Sequence, residues 1–251
     1  MQVLYINLAR RPDRNAEFLR RNSSAAECCR VDAPEAQLMR MDQLPAKGII
    51  AEPLEAYSPR VLANAISHKE LWEHAAAGAA PTTIAEDDAV LNRRFSEKAA
   101  RFIAGLPPNW DLILWGWNFD SILHCEVIPG LKEGVMHFDP SPLRARQERF
   151  QEIDVEPMPL RLFGAFGIFC YTLSPKGAKL LLGLCFPLRN EMIPLPGLGR
   201  QLKNFTLDTA MNKHYRVLQS YVSFPPLAWT ENDKSTSNLF PSHKGHPARA
   251  P

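Results

Sequence analysis

The chain has 251 residues, of which 45% are hydrophobic, enough to bury the core of one large α/β domain or two small ones. Its formal net charge is +2 at pH 7 and it has no long basic run, so no nucleic-acid partner is expected. The five cysteines form no Cys-x-x-Cys pair, which argues against a zinc site or a disulfide framework and favours a reducing compartment.

No segment of the sequence is typical of a membrane span or a secretory signal. Few apolar residues precede Arg10-Arg11, and no small-residue cleavage site follows them. The longest apolar stretch, residues 162–173, is too short to cross a bilayer. We therefore expect a cytoplasmic protein whose only membrane contact is peripheral, at the inner face of the cytoplasmic membrane.

Apolar runs and turn residues predict alternating strands and helices along the chain. Strands are predicted at residues 3–8, 29–32, 82–86, 111–116 and 217–222, with one or two at 160–173 and two shorter ones between 121 and 139. Helices are predicted at residues 12–21, 60–77, 96–103, 175–184 and 207–215, and an irregular loop at 42–59. This order favours an α/β fold with a mixed, mostly parallel sheet and helices on both faces. We expect a single domain over residues 1–240 and a disordered tail at 241–251.

Three consecutive acids, Glu86-Asp87-Asp88, end the apolar run that begins at Thr82. If the backbone stays extended, Glu86 and Asp88 project to one side, about 6–7 Å apart, and Asp87 to the other. Two such carboxylates suit a hard divalent cation that also holds a diphosphate, because Mg²⁺ takes few protein carboxylates and completes its shell with substrate oxygens. The alternative is that the acids only favour the positive end of a following helix.

Arginines follow the end of the first predicted strand. In open parallel sheets, ligands bind outside the carboxyl ends of the strands. If the strands that end near Asn7 and Glu86 are parallel neighbours, then Arg10, Arg11 and Arg14 face the acids across one cleft. Guanidinium groups beside a helix N-terminus suit a nucleotide diphosphate. The alternative is an ordinary solvated face with surface ion pairs.

His68 lies on the apolar face of the helix that precedes the acids. Val61, Ala65, His68 and Trp72 recur at helical spacing, which places His68 in the stripe that faces the core. A histidine in such a stripe is more often a hydrogen-bonded core residue than a catalyst. Its neighbour Ser67 lies on the shoulder of the stripe and can reach a ligand.

Three segments resemble the successive signatures of glycosyltransferase family 25, which includes bacterial lipopolysaccharide and lipooligosaccharide galactosyltransferases and the collagen galactosyltransferases of animals. They are Ile6-Asn7-Leu8-Ala9-Arg10-Arg11-Pro12-Asp13-Arg14, Ala65-Ile66-Ser67-His68-Lys69-Glu70-Leu71-Trp72 and Ile84-Ala85-Glu86-Asp87-Asp88-Ala89. Later segments at 110–116, 171–178 and 207–208 are similar to the same pattern, so the resemblance covers about residues 3 to 240. The chain departs from it between Asn22 and Pro59, where it is short and Pro-rich.

The resemblance implies a GT-A-type (Rossmann-like) fold, a nucleotide-sugar donor that is most often UDP-galactose, and a divalent metal, commonly Mn²⁺, with Mg²⁺ as the other choice. It also implies transfer with inversion. Its implied nucleotide-sugar contacts are Asn7, Arg11 and Arg14 from the first motif and Ser67 and His68 from the second. Glu86 and Asp88 match the acid-x-acid metal motif. Arg10 and Asp87, next to these motifs, complete the set of expected nucleotide-sugar contacts.

An inverting transfer also needs a base to take a proton from the acceptor hydroxyl. The candidate is Asp208, which opens the predicted helix at 207–215 and falls in the family's later acidic motif. Its alternative role is to favour the helix dipole. Asp120 and Glu126 are fallback candidates. Nearby, Trp115, Trp117 and Phe119 form either an aromatic platform for an acceptor sugar or part of the core.

The sequence thus predicts an inverting, metal-dependent glycosyltransferase that moves galactose from a UDP-sugar to an oligosaccharide or lipid-linked glycan in lipopolysaccharide or other cell-surface glycan synthesis. One alternative is a GT-A-fold protein that has lost catalysis and serves as a binding or scaffolding module. Another is a metal-dependent phosphoester hydrolase built on the same acids, although such sites commonly gather more His and Asp ligands.

Overall fold

A computed structural model describes residues 1–139 and 146–231 of the chain. The strands are β1 Gln2–Asn7, β2 Glu27–Asp32, β3 Thr82–Glu86, β4 Ala89–Leu91, β5 Leu112–Leu114, β6 Ile122–Ile128, β7 Lys132–His137, β8 Met158–Ala165, β9 Cys170–Leu173, β10 Met192–Leu195, β11 Arg200–Lys203, β12 Ser220–Phe224 and β13 Ala228–Thr230. The helices are α1 Pro12–Asn22, α2 Pro59–Ala77, α3 Phe95–Ala104, α4 Gln147–Glu152, α5 Pro175–Cys185 and α6 Leu207–Asn212, and single 3-10 turns cover Ala36–Leu38, Met41–Gln43 and Pro196–Leu198. The tail predicted at 241–251 lies outside the described residues.

The central sheet has nine strands in the order β2-β1-β3-β9-β5-β12-β8-β6-β7. The strands β2, β1, β3, β5, β12 and β6 run in one direction, and β9, β8 and β7 run against them. Two small antiparallel pairs, β10 with β11 and β13 with β4, flank this sheet. The predicted mixed α/β sheet is therefore confirmed.

Helices cover both faces of the sheet because strand side chains alternate between two cores. In β5, Leu112 and Leu114 belong to the core packed under α2, α5 and α6, whereas Ile113 belongs to the core packed under α1 and α3. Within the described residues, no helix is both long and apolar enough to cross a membrane.

The carboxyl ends of β1 and β3 lie side by side, which brings the two charged segments of the sequence together. The strands pair in parallel, with Ile6 opposite Glu86. Helix α1 then begins at Pro12, a residue that suits a first helical turn because its ring fixes φ and it needs no N–H partner there. Helix α2 begins after Ser58, whose side chain accepts a hydrogen bond from the Val61 N–H at 3.3 Å.

The structure differs from the predicted elements mainly in its shortest pieces. Helix α6 ends at Asn212, earlier than predicted, because the backbone turns over the next residues, where the Val217 and Leu218 N–H groups both donate to the His214 carbonyl. The final central strand consequently begins at Ser220 and not at residue 217. The pairs β4–β13 and β10–β11 were not predicted, since strands of three or four residues show no clear alternation.

Candidate functional site

A cleft opens at the carboxyl ends of β1 and β3 and holds about 700 Å³ of empty space, part of it open to solvent. Four segments line it: Ile6, Asn7, Leu8, Arg10 and Arg14 at and after the end of β1; Ala33, Pro34 and Ala36 after β2; Arg60, Ala63, Asn64 and Ser67 on one face of α2; and all three acids. The edge of the sheet predicted to bind a ligand therefore carries a cleft, which is lined by the three acids, Arg10 and Arg14.

Glu86 is held from behind by a buried chain of hydrogen bonds. Its Oε1 lies 3.2 Å from His68 Nε2 and accepts from Asn64 Nδ2 at 3.1 Å. On the other side of the ring, His68 Nδ1 lies 2.8 Å from the Tyr171 hydroxyl, which accepts from Trp72 Nε1 at 2.7 Å. Burial opposes ionisation of Glu86, but the hydrogen bonds from His68 and Asn64 lower its pKa below the ordinary value.

The Glu86 carboxylate indicates the histidine tautomer. An ionised carboxylate can only accept, so its hydrogen bond with His68 needs the proton on Nε2, and in the neutral ring Nδ1 accepts from the Tyr171 hydroxyl, whose oxygen accepts from Trp72. His68 then carries its proton on Nε2 and donates it to Glu86. His68 is fully buried and is absent from the cleft lining, so it orients Glu86 and does not itself face a ligand.

Asp87 is bound by the first motif. Its Oδ2 accepts from Asn7 Nδ2 at 2.7 Å, and its Oδ1 pairs with Arg14 NH2 at 2.6 Å. Burial raises the pKa of Asp87, although the positive charge of Arg14 and the Asn7 hydrogen bond oppose that rise. These contacts lock the end of β3 to the segment that follows β1.

Asp88 is the least satisfied of the three acids. Its Oδ1 is buried and has no hydrogen-bond partner, and its Oδ2 is 3.7 Å from Arg14 NH2. Burial, with the negative charges of Glu86 and Asp87, raises the pKa of Asp88 to about 7, although the charge of Arg14 and a hydrogen bond with Thr230 oppose the rise. Because 39% of the side chain is exposed, water screens part of that repulsion. The unpartnered Oδ1 and the negative charges of Glu86 and Asp87 both favour the binding of a cation at Asp88.

The expected alternation of the acids does not hold, because all three side chains line the cleft. Strand β3 ends at Glu86, and Asp87 and Asp88 lie in a turn, where side chains no longer alternate between opposite faces. Asp87 therefore lines the cleft together with Glu86 and Asp88, and it also holds the turn through its contacts with Asn7 and Arg14.

The residues around the acids fit a cation that shares its ligands with a substrate. Across residues 1–139 and 146–231, no three His, Cys, Asp or Glu side chains converge as a metal-binding group. A hard cation such as Mg²⁺ uses one or two carboxylates and takes its remaining oxygens from phosphates and water. The unpartnered Oδ1 of Asp88 and the neighbouring Glu86 meet that smaller requirement.

The other predicted contacts are divided between the cleft and its surroundings. Ser67 lines the cleft and donates its hydroxyl to the Ala63 carbonyl at 3.0 Å. Arg10 also lines it, and its Nε pairs with Glu35 at 2.8 Å. Arg11 is absent from the lining, and its guanidinium pairs with Asp13 on the outer surface.

Asp208 lies in the first turn of α6 and is largely enclosed by donors. Its Oδ2 accepts from the Gly167 N–H at 2.8 Å, and its Oδ1 accepts from the Thr209 N–H at 2.8 Å and from the Thr206 hydroxyl. Burial raises the pKa of Asp208, although these donors oppose the rise and the charge of Glu86 adds to it.

Asp208 is absent from the cleft lining but is linked to the acids through the chain before β9. Gly167 donates to Asp208, and two residues later the Phe169 carbonyl accepts from the Glu86 N–H at 2.8 Å. Gly167 has φ +87°, and a Cβ there would lie 2.3 Å from Asn118 Oδ1. Glycine is therefore required at this position.

Glu126 and the tryptophans do not take the roles considered for them. Glu126 lies on β6, five strands away from β3, and it accepts from the Gly130 N–H in the turn that leads to β7. At about 4.8 Å per strand, Glu126 is too distant from the acids to serve as a base.

Trp115 and Trp117 are fully buried in the cores on opposite faces of the sheet, so they form no acceptor platform. The rings of Phe119 and Trp117 pack together, with 4.9 Å between their centroids. Asp120 is exposed after the end of β5.

Arg60 and Asn64 line the cleft although the sequence did not single them out. They precede Ser67 by seven and three residues, which places all three on one face of α2. The helical spacing from Ser67 was the signal that could have found them.

Comparisons with known proteins agree with the motifs. A family model described as "Glycosyltransferase family 25 (LPS biosynthesis protein)" matches residues 1–194. No curated protein matches the chain significantly. Among solved structures, the chain is similar to one titled "Crystal Structure of A197 from STIV", at 11% identity and a TM-score of 0.36, over 88% of this chain and 80% of that one. A likeness that weak carries no argument.

Proposed function

The chain belongs to glycosyltransferase family 25, the lipopolysaccharide-biosynthesis family whose model covers residues 1–194, and we propose that it is an inverting transferase. The donor is a UDP-sugar, with galactose as the expected sugar, and the acceptor is an oligosaccharide or a lipid-linked glycan. One observation carries the proposal: the segment after β1 and the three acids line the same cleft. Among these acids, Asp88 has a buried oxygen without a hydrogen-bond partner. We expect the reaction to occur in the cytoplasm, at the inner face of the membrane where the acceptor is lipid-linked.

The acids provide the place for the donor's diphosphate. Asp88, with Glu86 beside it, would hold Mn²⁺ or Mg²⁺. Such a cation, when bound, supplies Lewis-acid stabilisation to the departing UDP. Glu86 is kept ionised and correctly oriented by His68 and Asn64, and Asp87 ties this turn to Asn7 and Arg14.

Inversion is a single in-line displacement at the anomeric carbon. The acceptor oxygen forms a bond to that carbon while the bond to the UDP oxygen breaks, and the hydroxyl proton passes to a base. Asp208 is our candidate for the base, because its raised pKa favours proton uptake and it is linked to Glu86 through the chain between Gly167 and Phe169. It would act on the acceptor side, since it lies outside the lining of the donor cleft.

The proposal is tested by incubating the protein with a panel of UDP-sugars and Mn²⁺ and following UDP release with and without glycan acceptors. We expect release from one UDP-sugar that rises strongly when the acceptor is present. UDP binding with no release from any sugar or acceptor would indicate a scaffolding module. Phosphate release from simple phosphoesters, with no sugar transfer, would indicate a hydrolase.

A further inference from the structure

Arg60 is a cation of the cleft whose position is not explained by contacts within the protein. It lies in the first turn of α2, lines the cleft and is exposed. Among the residues that the structure describes, no carboxylate forms an ion pair with it. The cleft's two other arginines are already paired, Arg10 with Glu35 at 2.8 Å and Arg14 with Asp87 at 2.6 Å.

The positive charge of Arg60 does not favour the start of α2. The N-terminal turn of a helix carries partial positive charge, so a cation there is electrostatically unfavourable. Ser58 already caps this end through its hydrogen bond with the Val61 N–H. Neither an ion pair nor helix stability therefore accounts for the arginine.

The charge of the cleft indicates what Arg60 can bind. The lining carries three acids and three arginines, and two of those arginines are engaged. A diphosphate that enters beside the acids brings more negative charge and needs cations that are still available. Of the three lining arginines, Arg60 is the one whose guanidinium no described acid occupies, and a guanidinium suits phosphate because its N–H groups can bind two oxygens at once.

The position of Arg60 on α2 also allows its side chain to extend toward the acids. Arg60 precedes Asn64 by one helical turn, about 6 Å along the axis, on the same face of α2. Asn64 is hydrogen-bonded to Glu86, so this face leads from Arg60 directly to the acids. The guanidinium can extend along the cleft toward a phosphate placed next to Asp88.

We propose that Arg60 binds the diphosphate of the nucleotide-sugar donor and so completes the donor site from the α2 side. This inference rests on the proposed function, because it takes a nucleotide diphosphate as the ligand of the cleft. Loss of the arginine weakens the hold on phosphate and leaves contacts with the nucleoside unchanged.

The test compares UDP and uridine binding in the presence of Mn²⁺ for the wild-type protein, Arg60→Ala, Arg60→Lys and a control, Arg189→Ala. Arg189 is exposed, lies outside the cleft lining and has no ion pair among the described residues. We expect Arg60→Ala to weaken UDP binding about tenfold to a hundredfold, as for loss of a charged hydrogen bond, with uridine binding unchanged. Arg60→Lys should restore part of the loss, and Arg189→Ala should behave as wild type.

Two results overturn the inference: unchanged UDP affinity in Arg60→Ala, or an equal loss of UDP and uridine affinity. Thermal unfolding of Arg60→Ala separates a binding effect from misfolding, and Arg60→Lys supplies a second, milder variant. If the wild-type protein binds no UDP under any condition, the proposed function itself has failed, which is distinct from a failure confined to Arg60.

Discussion

His68 Nε2 lies 3.2 Å from Glu86 Oε1, and this contact joins the buried core to the cleft. Behind it, the His68 ring meets the Tyr171 hydroxyl, which is held in turn by the indole of Trp72. The chain of hydrogen bonds explains how a histidine in the apolar stripe of α2 serves a polar site. It orients a carboxylate that lines the cleft and favours the ionised form of that carboxylate.

Replacing Tyr171 with Phe should destabilise the protein by about 2–4 kcal/mol, because the buried Trp72 N–H and the Nδ1 of His68 each lose a partner. The free energy of unfolding from urea titration measures this. The matched control is Tyr221→Phe, since the Tyr221 side chain is only half-buried and its hydroxyl makes no hydrogen bond among the described contacts. A Tyr171→Phe protein as stable as the Tyr221→Phe control would contradict the hydrogen-bond chain.

Asp208→Asn should retain UDP binding and lose about 10²- to 10⁴-fold in transfer rate, the usual contribution of a general base. In the wild-type protein the base must be ionised, and burial raises the pKa of Asp208 above its ordinary 3.8. The transfer rate should therefore fall as the pH drops through a midpoint higher than 3.8. A pH–rate profile of transfer measures that midpoint.

The control for the base is Asp120→Asn, which removes an exposed carboxylate after β5. It should keep nearly full transfer. If Asp208→Asn turns over normally while Asp120→Asn does not, the base has been assigned to the wrong residue.

Gly167→Ala should lower both stability and transfer. The residue has φ +87°, which costs a non-glycine residue about 1–2 kcal/mol, and its Cβ would lie 2.3 Å from Asn118 Oδ1. Relief of that clash would move the N–H of residue 167, which donates a hydrogen bond to Asp208. Gly183→Ala is the control: it lies in α5 with open space around its Cβ, so we expect no loss of stability and a gain of up to about 1 kcal/mol. Thermal unfolding and transfer assays on both variants check this, and equal stability of the two would show that no strain is stored at Gly167.

Much of the fold and the location of the cleft could be predicted from the sequence. The strand that ends at Asn7 and the strand that ends at Glu86 are both strongly apolar, and neighbouring parallel strands must surface at one edge. The position of Asp87 could not be predicted, because strand alternation stops where the chain turns after Glu86. Local periodicity does not reveal such a turn.

The remaining differences between the predicted and the observed site residues depend on packing between segments that are far apart in the sequence. Trp115 and Trp117 look alike in sequence, yet each is enclosed by a different core, which depends on helices far away along the chain. Glu126 follows the end of β5 in sequence but lies five strands from the acids, because β9, β5, β12 and β8 lie between β3 and β6 in the sheet. Arg60 could not be predicted as a site residue, because an arginine near the start of a helix gives no sign in the sequence that a cleft lies beside it.

The central claim is that Asp88, with Glu86, forms a cation-dependent diphosphate site. Calorimetric titration of UDP, with and without Mn²⁺, on the wild-type protein and on Asp88→Asn tests it most directly, with Asp42→Asn as a control at an exposed carboxylate outside the cleft. We predict that Mn²⁺ strengthens UDP binding in the wild-type and Asp42→Asn proteins, and that this dependence on Mn²⁺ disappears in Asp88→Asn while its thermal unfolding is preserved. Mn²⁺-dependent UDP binding that is unchanged in Asp88→Asn would contradict the account.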